Sequence, residues 1–236
     1  FSGESKPTVN TSQQKKEADE DAFAYGDMAI DMIESDGPTT SIKITDDGSG
    51  MSAADARLAL ERHATSKLKV LEDLDALGTL GFRGEAVPSI ALVSRFTLTT
   101  CEHGAAEGTR IEVHGGKIIS EASIGAPAGT TIDVKDLFFN VPARKKFMKR
   151  AETESSHVHD AVVRLALARP EISIRLSHNG RVVLDVPAAS AADPRGRLGR
   201  ILGTEVSAHL YPLRVEGPSG DIVVTGWVAA PRKPPS

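Results

Sequence analysis

Glycine-rich loops divide this sequence into short apolar runs, and they constrain the fold more than any other feature. The loops at residues 46–51, 78–85 and 129–131 each adjoin a run with strand or helix character. Glycine adopts backbone conformations that other residues avoid, so such loops are typical of tight connections. The runs that predict strands are 29–33, 41–45, 96–101, 109–114, 117–122, 130–134, 172–176, 182–186, 206–213 and 222–229. The sequence therefore predicts a mixed α/β fold.

Four segments predict helices. Ser52 is a candidate N-cap with Asp55 three residues later, so a helix is expected from there to about residue 61. A second helix is expected after Glu85, with Pro88 in its first turn, where proline is tolerated. Residues 152–168 predict a long amphipathic helix, and residues 198–201 a short one. The apolar stripe of the long helix consists of Val158, Val162, Leu165 and Ala166.

Composition excludes several classes of protein. The chain has 236 residues, of which 40% are hydrophobic and 25% charged, which is typical of a globular protein. Its single cysteine, Cys101, excludes an internal disulfide framework and a multi-cysteine zinc site. No apolar run approaches the roughly 20 residues of a membrane helix. No secretory signal is recognisable either, so we expect a cytoplasmic protein.

Charge is distributed unevenly along the chain. Residues 1–138 contain 13 Lys/Arg and 23 Asp/Glu, whereas residues 139–236 contain 15 and 9. Five cations fall within seven residues, at Arg144, Lys145, Lys146, Lys149 and Arg150. On a single helix, residues 145 and 149 would share a face and could contact nucleic-acid phosphates. The alternative is a solvated helix whose Phe147 and Met148 pack inward.

Four loops are candidates for a nucleotide site, although no GxxxxGK[ST] or GxGxxG motif is present. Asp46 lies at a strand end, where a carboxylate can accept a hydrogen bond from an exocyclic amine. Residues 62–67 combine a cation with two hydroxyls, and residues 81–86 place glycines before a helix, where backbone N–H groups can hold phosphate. Residues 129–131 open a strand. Taken singly, each loop also fits an ordinary connector or helix end.

Together and in this order, the loops resemble motifs of the MutL family of DNA mismatch repair proteins. The matching segments are DDGSGM at 46–51, RHATSKL at 62–68, LGFRGEA at 80–86, GTT at 129–131 and LFFNVPARKKF at 137–147. GFRGEA and NVPARKKF distinguish this family from the related type II topoisomerases, heat-shock chaperones and sensor histidine kinases. The resemblance extends over about residues 27 to 236.

The resemblance implies an α+β sandwich in which helices cover one face of a mixed β-sheet, with ATP beneath a flexible lid. Asp46 would bind the adenine amine, Gly48 and Gly50 would line the ring, and Thr130 would support the adenine end. Contacts near the phosphates are implied for Thr65, Ser66, Lys67, Gly81, Phe82, Arg83, Gly84 and Glu85. The implied cofactors are ATP and Mg²⁺.

The resemblance also implies how such a protein acts. ATP binding would bring two copies of the chain together as a homodimeric clamp on DNA. The expected partners are DNA, bound weakly and without sequence preference, and mismatch-recognition and other repair proteins, but no membrane. By this resemblance, Arg144 to Arg150 are expected to contact DNA.

The N-terminal segment departs from the family pattern. The family begins with a helix whose Glu activates water and whose Asn, four residues later, holds magnesium. Glu17 and Asp21 stand at these positions, but the surrounding sequence lacks core-facing aliphatic residues. The sequence therefore does not decide whether this chain hydrolyses ATP. The alternatives are a nucleotide-binding scaffold without turnover and an ATP-independent DNA-binding fragment.

The same patterns predict the domain organisation. Residues 1–26 are expected to be disordered or degenerate, because residues 1–20 include too few apolar side chains to form a core. Residues 27–186 would form the ATP-binding domain, and residues 187–194, rich in Pro and Ala, a linker. Residues 195–236 would be the incomplete start of a second α/β domain.

Overall fold

Eight strands of this chain form one mixed sheet. The computed structural model describes residues 26–34, 40–61, 84–189, 194–218, 220 and 222–229. The strands of the sheet are β1 (Asp27–Glu34), β2 (Thr40–Asp46), β3 (Arg95–Cys101), β4 (Gly108–His114), β5 (Lys117–Ile124), β6 (Gly129–Lys135), β7 (Ser173–His178) and β8 (Arg181–Val186). Their order is β5-β4-β3-β6-β2-β1-β7-β8, and only β1 and β7 pair in parallel. All eight strands match runs that the sequence predicts.

Strand register places apolar side chains from neighbouring strands on one face of the sheet. Directly paired residues point to the same side, since side chains alternate along a strand. One such row crosses four strands and consists of Phe96, Val134, Ile42 and Met32. Phe96 and Met32 are buried, and Ile42 and Val134 pack against the two buried clusters of the core.

The opposite face of the sheet is polar. The adjacent row contains Thr97, Asp133 and Lys43, which are paired across β3, β6 and β2. Ser41 Oγ donates a hydrogen bond to Asp133 Oδ1 at 3.1 Å, and Lys135 forms an ion pair with the same carboxylate. One face of the sheet therefore requires cover by other elements, whereas the other is suited to water.

Helices cover the apolar face, as the family resemblance implies. The helices are α1 (Ala53–Leu58), α2 (Ala86–Ala91), α3 (Pro142–Lys145), α4 (Ala151–Ala168), α5 (Pro194–Leu202) and α6 (Thr204–Ala208). Ala56 of α1 and Ala91 of α2 are buried in the cluster over β3 and β4. Val162 and Ala166 of α4 are buried in the cluster over β1, β7 and β8. None of the helices in the described ranges is long and apolar enough to cross a membrane.

Local signals in the sequence define several boundaries. Ser52 is the N-cap of α1: its Oγ accepts a hydrogen bond from Asp55 N at 3.1 Å and donates one to Asp55 Oδ2 at 2.8 Å. Asn179 and Gly180 connect β7 to β8 with φ values of 50° and 74°. This pair of left-handed residues is what an Asn-Gly hairpin turn requires.

The segment after residue 194 differs from the prediction in two places. The expected helix at 198–201 is longer, since α5 covers Pro194–Leu202. The expected strand at 206–213 is wrong in its first part, because residues 204–208 form α6 and the strand β9 is Leu210–Glu216. Short apolar runs do not distinguish helix from strand, and here the Ser207 N–H bonds to Gly203 O at 3.1 Å in a helical turn. β9 pairs with β10 (Val223–Ala229) as a separate hairpin.

A buried arginine joins α5 to the rest of the chain. Arg197 is 6% exposed, and its Nη2 donates to Ala166 O at 2.9 Å and to Arg169 O at 3.2 Å. It also donates to Pro187 O. These carbonyls lie at the end of α4 and after β8, where backbone acceptors lack helical partners. Burial lowers the pKa of this guanidinium. The domain boundary expected at 187–194 stays a prediction.

Candidate functional site

The carboxylate of Asp46 lies at the end of β2, on the helix-covered face of the sheet. Its register partners are Met28 of β1 and Thr130 of β6, and Met28 packs against the core. Gly48 N donates to Asp46 Oδ1 at 3.0 Å, which fixes the orientation of the half-buried side chain. Within the described ranges Oδ2 has no hydrogen-bond partner, so it is available as an acceptor for a ligand.

The neighbouring carboxylate, Asp47, has a different role. Its Oδ1 accepts a hydrogen bond from Asp27 N at 2.7 Å, and its own N–H donates to Asp27 O at 3.3 Å. Asp47 therefore joins the end of β2 to the start of β1. Alternation along β2 places Asp46 beneath the helices and turns Asp47 away from them. The sequence alone did not assign this role to Asp47, although strand alternation indicates it.

A buried threonine connects the loop after β2 to β6, and sequence reasoning missed it. Thr100 of β3 is 1% exposed, and its Oγ1 accepts a hydrogen bond from Met51 N at 2.9 Å. The same oxygen lies 3.1 Å from Gly129 O and 3.1 Å from Thr130 Oγ1. A hydroxyl has one proton and two acceptor sites, so Thr100 satisfies all three contacts when it donates to Gly129 O. Thr100, Thr130 and Asp46 lie in one row across β3, β6 and β2.

Two glycines in these loops are required by close backbone contacts. Gly50 has φ 69°, and a Cβ there would lie 1.9 Å from Cys101 O. Gly129 has φ 112°, and a Cβ there would lie 2.1 Å from Asp46 O. A larger residue at Gly50 would push the loop after β2 away from β3, and one at Gly129 would separate the strand ends that carry Asp46 and Thr130. Packing alone therefore accounts for Gly50, which the resemblance assigns to the adenine ring.

The loop before α2 reaches the same part of the core. Gly84 has φ 61° and, with Glu85, leads into the helix. Val87 of α2 and Met51 of the first loop both pack against the cluster that contains Ala56 and Ala91. The structure thus brings the segments 46–51 and 129–131 together, and it joins α2 to the first loop through their common core cluster. The remaining expected site residues lie outside the described residues: Glu17, Asp21, Thr65, Ser66, Lys67, Gly81, Phe82 and Arg83.

A shallow pocket opens at the strand ends beside Asp46 and Thr130. It has a volume of about 270 Å³, and its lining includes Asp46, Thr130 and residues 126–128. Thr45, Thr99 and Thr131 also line it, and these residues point to the polar face. The pocket therefore lies around the strand ends rather than wholly beneath the helices. A second pocket of about 290 Å³ lies between α4 and β7 and includes none of the expected nucleotide residues.

The five cations lie at the end of α3 and in the connection to α4, so they do not form the helical stripe that their spacing would allow. Helix α3 ends at Lys145, and Arg150 is the extended N-cap of α4. Pro142 at the first turn of α3 starts a helix of only four residues. Phe147, whose inward packing was the alternative, is 85% exposed.

These cations lie at the other end of the sheet from Asp46. Strand β6 begins beside Asp46 at Thr130 and ends at Lys135, and the cations follow it along the chain. Since a strand rises about 3.3 Å per residue, the length of β6 separates the two sites by roughly 20 Å. The structure does not combine them into one site.

Comparisons with known proteins agree with this architecture. A family model described as "Histidine kinase-, DNA gyrase B-, and HSP90-like ATPase" matches residues 21–135. The DNA mismatch repair protein MutL of Anaeromyxobacter dehalogenans is 48% identical over 216 residues, which cover 92% of this chain and 35% of that protein. The chain belongs to the MutL family.

A second relative and a solved structure place the chain within the proteins of this family. MutL of Geotalea uraniireducens is 48% identical over 217 residues, covering 92% of this chain and 35% of the relative. The structure of the Aquifex aeolicus MutL ATPase domain complexed with ADP has a TM-score of 0.65 and 26% identity, and the match covers 94% of this chain and 76% of that one. The chain spans about a third of the length of the curated MutL relatives and corresponds to their ATP-binding region.

Proposed function

We propose that this chain binds ATP at the end of the sheet where β2 stops at Asp46 and β6 starts beside Thr130. The observation that carries the proposal is the Asp46 carboxylate, oriented by Gly48 N and with Oδ2 available as an acceptor in the described part of the site. This oxygen would accept a hydrogen bond from the adenine amine. The similar ATPase domain of Aquifex aeolicus MutL is complexed with ADP, which supports nucleotide binding by this chain.

Calorimetric titration with ATP tests this assignment. Asp46→Asn replaces one carboxylate oxygen with an amide donor, so the affinity should fall by about 1–3 kcal/mol, the magnitude of a lost charge-assisted hydrogen bond. This corresponds to a Kd about 5- to 150-fold higher. Glu102→Gln is the matched control, because Glu102 is an exposed carboxylate at the end of β3 and the substitution removes the same charge. Equal affinities for the two variants would contradict the assignment.

Hydrolysis is the second part of the proposal. Glu17 would activate the attacking water, and Asp21, together with the ATP phosphates, would hold Mg²⁺. Within the described ranges no three His, Cys, Asp or Glu residues are placed to bind a metal. Proteins commonly bind magnesium through one or two carboxylates and substrate phosphates. When bound, this ion would offset charge on the phosphates.

Turnover should be slow, because the segment around Glu17 lacks the apolar pattern that would dock a catalytic helix. Single-turnover hydrolysis, measured beside ATP binding, separates an ATPase from a nucleotide-binding scaffold. A slow Mg²⁺-dependent rate that Glu17→Ala abolishes while binding persists supports Glu17 as the base. Binding without hydrolysis would establish the scaffold.

The third part of the proposal concerns DNA and repair partners. The half of the chain after residue 138 is basic, and its densest group of cations is Arg144 to Arg150. These residues would contact DNA phosphates weakly and without sequence preference. As in a MutL clamp, ATP would bring two copies together and present them to other repair proteins. Reversal of Lys145 and Lys149 to Glu should reduce the salt dependence of DNA binding by roughly one unit of slope per lost phosphate contact.

A further inference from the structure

Phe147 is an exposed aromatic residue placed among cations. Its side chain is 85% exposed, more than any other large hydrophobic residue in the described ranges. Burying such a side chain typically contributes about 1.5–3 kcal/mol, yet Phe147 is exposed, whereas the neighbouring Met148 is half-buried. A lone exposed apolar residue is common on protein surfaces, so the surroundings of Phe147 decide what it can do.

The backbone around Phe147 is held on both sides. Before it, Phe138 N donates to Val93 O at 2.6 Å, and Asn140 Nδ2 donates to Leu92 O at 3.0 Å. Phe147 N itself donates to Arg144 O at 3.0 Å. After it, Lys149 N donates to Glu154 Oε1 at 2.9 Å. The aromatic ring is thus presented on an ordered turn, which lowers the entropy cost of binding a ligand.

The cations around the ring are available to a ligand. In the described part of the chain, none of the five side chains forms an ion pair. The five are Arg144, Lys145, Lys146, Lys149 and Arg150. The acidic residues that follow in the first turn of α4 are Glu152 and Glu154, so the stretch from residue 144 to residue 154 carries an excess of positive charge. The Phe147 turn, residues 144–150, therefore combines phosphate-binding groups with an open aromatic face.

We propose that Phe147 stacks on an unpaired base and makes the Phe147 turn a contact for single-stranded DNA. This proposal rests on the DNA contact proposed above and adds the form of DNA that the contact prefers. A basic surface with a stacking aromatic residue is the arrangement that binds single strands without sequence preference. Paired bases within a duplex are already stacked on both faces, so they offer no free face to Phe147.

Titration of the whole chain with a fluorescent oligothymidine and with a duplex of equal length tests the proposal. Phe147→Ala should weaken single-strand binding about 5- to 150-fold, the range expected for one stacked base, and should leave duplex binding and the salt dependence unchanged. Phe147→Tyr should retain the affinity. Tyr211→Ala is the control, because Tyr211 is another exposed aromatic residue, located on β9.

The outcomes separate this proposal from the one on which it rests. An unchanged affinity of Phe147→Ala for single strands, or an equal loss with both forms of DNA, would overturn the stacking role. If Lys145→Glu/Lys149→Glu leaves the salt dependence of both forms unchanged, the proposed DNA contact itself fails. If charge reversal weakens both forms and Phe147→Ala has no effect, only the stacking role fails. If Phe147→Ala loses binding to anionic vesicles but keeps its binding to oligothymidine, the stacking role is wrong and Phe147 contacts a lipid surface instead.

Discussion

Replacement of Thr100 by valine tests whether one buried hydroxyl holds the candidate site together. Its Oγ1 accepts from Met51 N at 2.9 Å and lies 3.1 Å from Gly129 O, in a position that is 1% exposed. Valine keeps the branched shape and strand propensity of threonine but removes the hydrogen-bond acceptor of Met51 N and the donor to Gly129 O. Since an unsatisfied buried polar group costs about 1–3 kcal/mol, we expect the free energy of unfolding to fall by about that amount.

Urea denaturation of three variants measures the effect. Thr99→Val is the matched control, because Thr99 precedes Thr100, points to the opposite face, and its hydroxyl makes no hydrogen bond within the described ranges. Thr100→Ser should restore most of the stability, since it keeps the hydroxyl. Thr100→Val should also weaken ATP binding, because the loop that carries Asp46 loses its attachment to β3. If the free energies of unfolding of Thr100→Val and Thr99→Val differ by less than about 0.5 kcal/mol, the reasoning is wrong.

Two further predictions concern stability. Gly50→Ala should lower the melting temperature more than Gly104→Ala does: both glycines have positive φ, but a Cβ at Gly50 would lie 1.9 Å from Cys101 O, whereas nothing lies within 4 Å at Gly104. A backbone amide and the Arg169 guanidinium hold the pKa of the Glu171 carboxyl below its usual value. A lowered folded-state pKa stabilises the protein above the unfolded pKa, so the stability difference between the native chain and Glu171→Gln should be present at neutral pH. Urea midpoints should show this difference disappearing as the pH falls below the ordinary carboxyl pKa of about 4.5.

Local patterns in the sequence were sufficient to predict most of the sheet. Alternating apolar residues identified the eight strands, and the Asn179-Gly180 turn and the Ser52 cap are confirmed at the expected positions. These features depend on residues close together in the chain. The prediction failed at 206–208, where a short apolar run is compatible with both helix and strand. The spacing of the cations would allow a helical stripe, but α3 starts at Pro142 and ends after one turn.

The composition of the candidate site could be predicted only in part. Asp46 and Thr130 stand in recognisable loops, and their pairing across β2 and β6 follows once the strands are in register. Thr100 lies within an ordinary strand run, and nothing in its local sequence distinguishes it from Thr99. Its role arises from the long-range register that places it beside Gly129 and Met51. Likewise, the exposure of Phe147 depends on where α3 ends, which the cation spacing does not reveal.

Hydrogen–deuterium exchange with and without saturating ATP tests most directly whether the nucleotide binds at the end of β2. We expect slower exchange in peptides that cover residues 46–51 and 129–131, because the ligand would cover these loops and stabilise their hydrogen bonds. Peptides that cover residues 144–150 and 223–229 should exchange at unchanged rates, since they lie in other parts of the chain. If calorimetry shows that ATP binds while both loops exchange as fast as in its absence, the nucleotide lies elsewhere and the assignment of Asp46 is wrong.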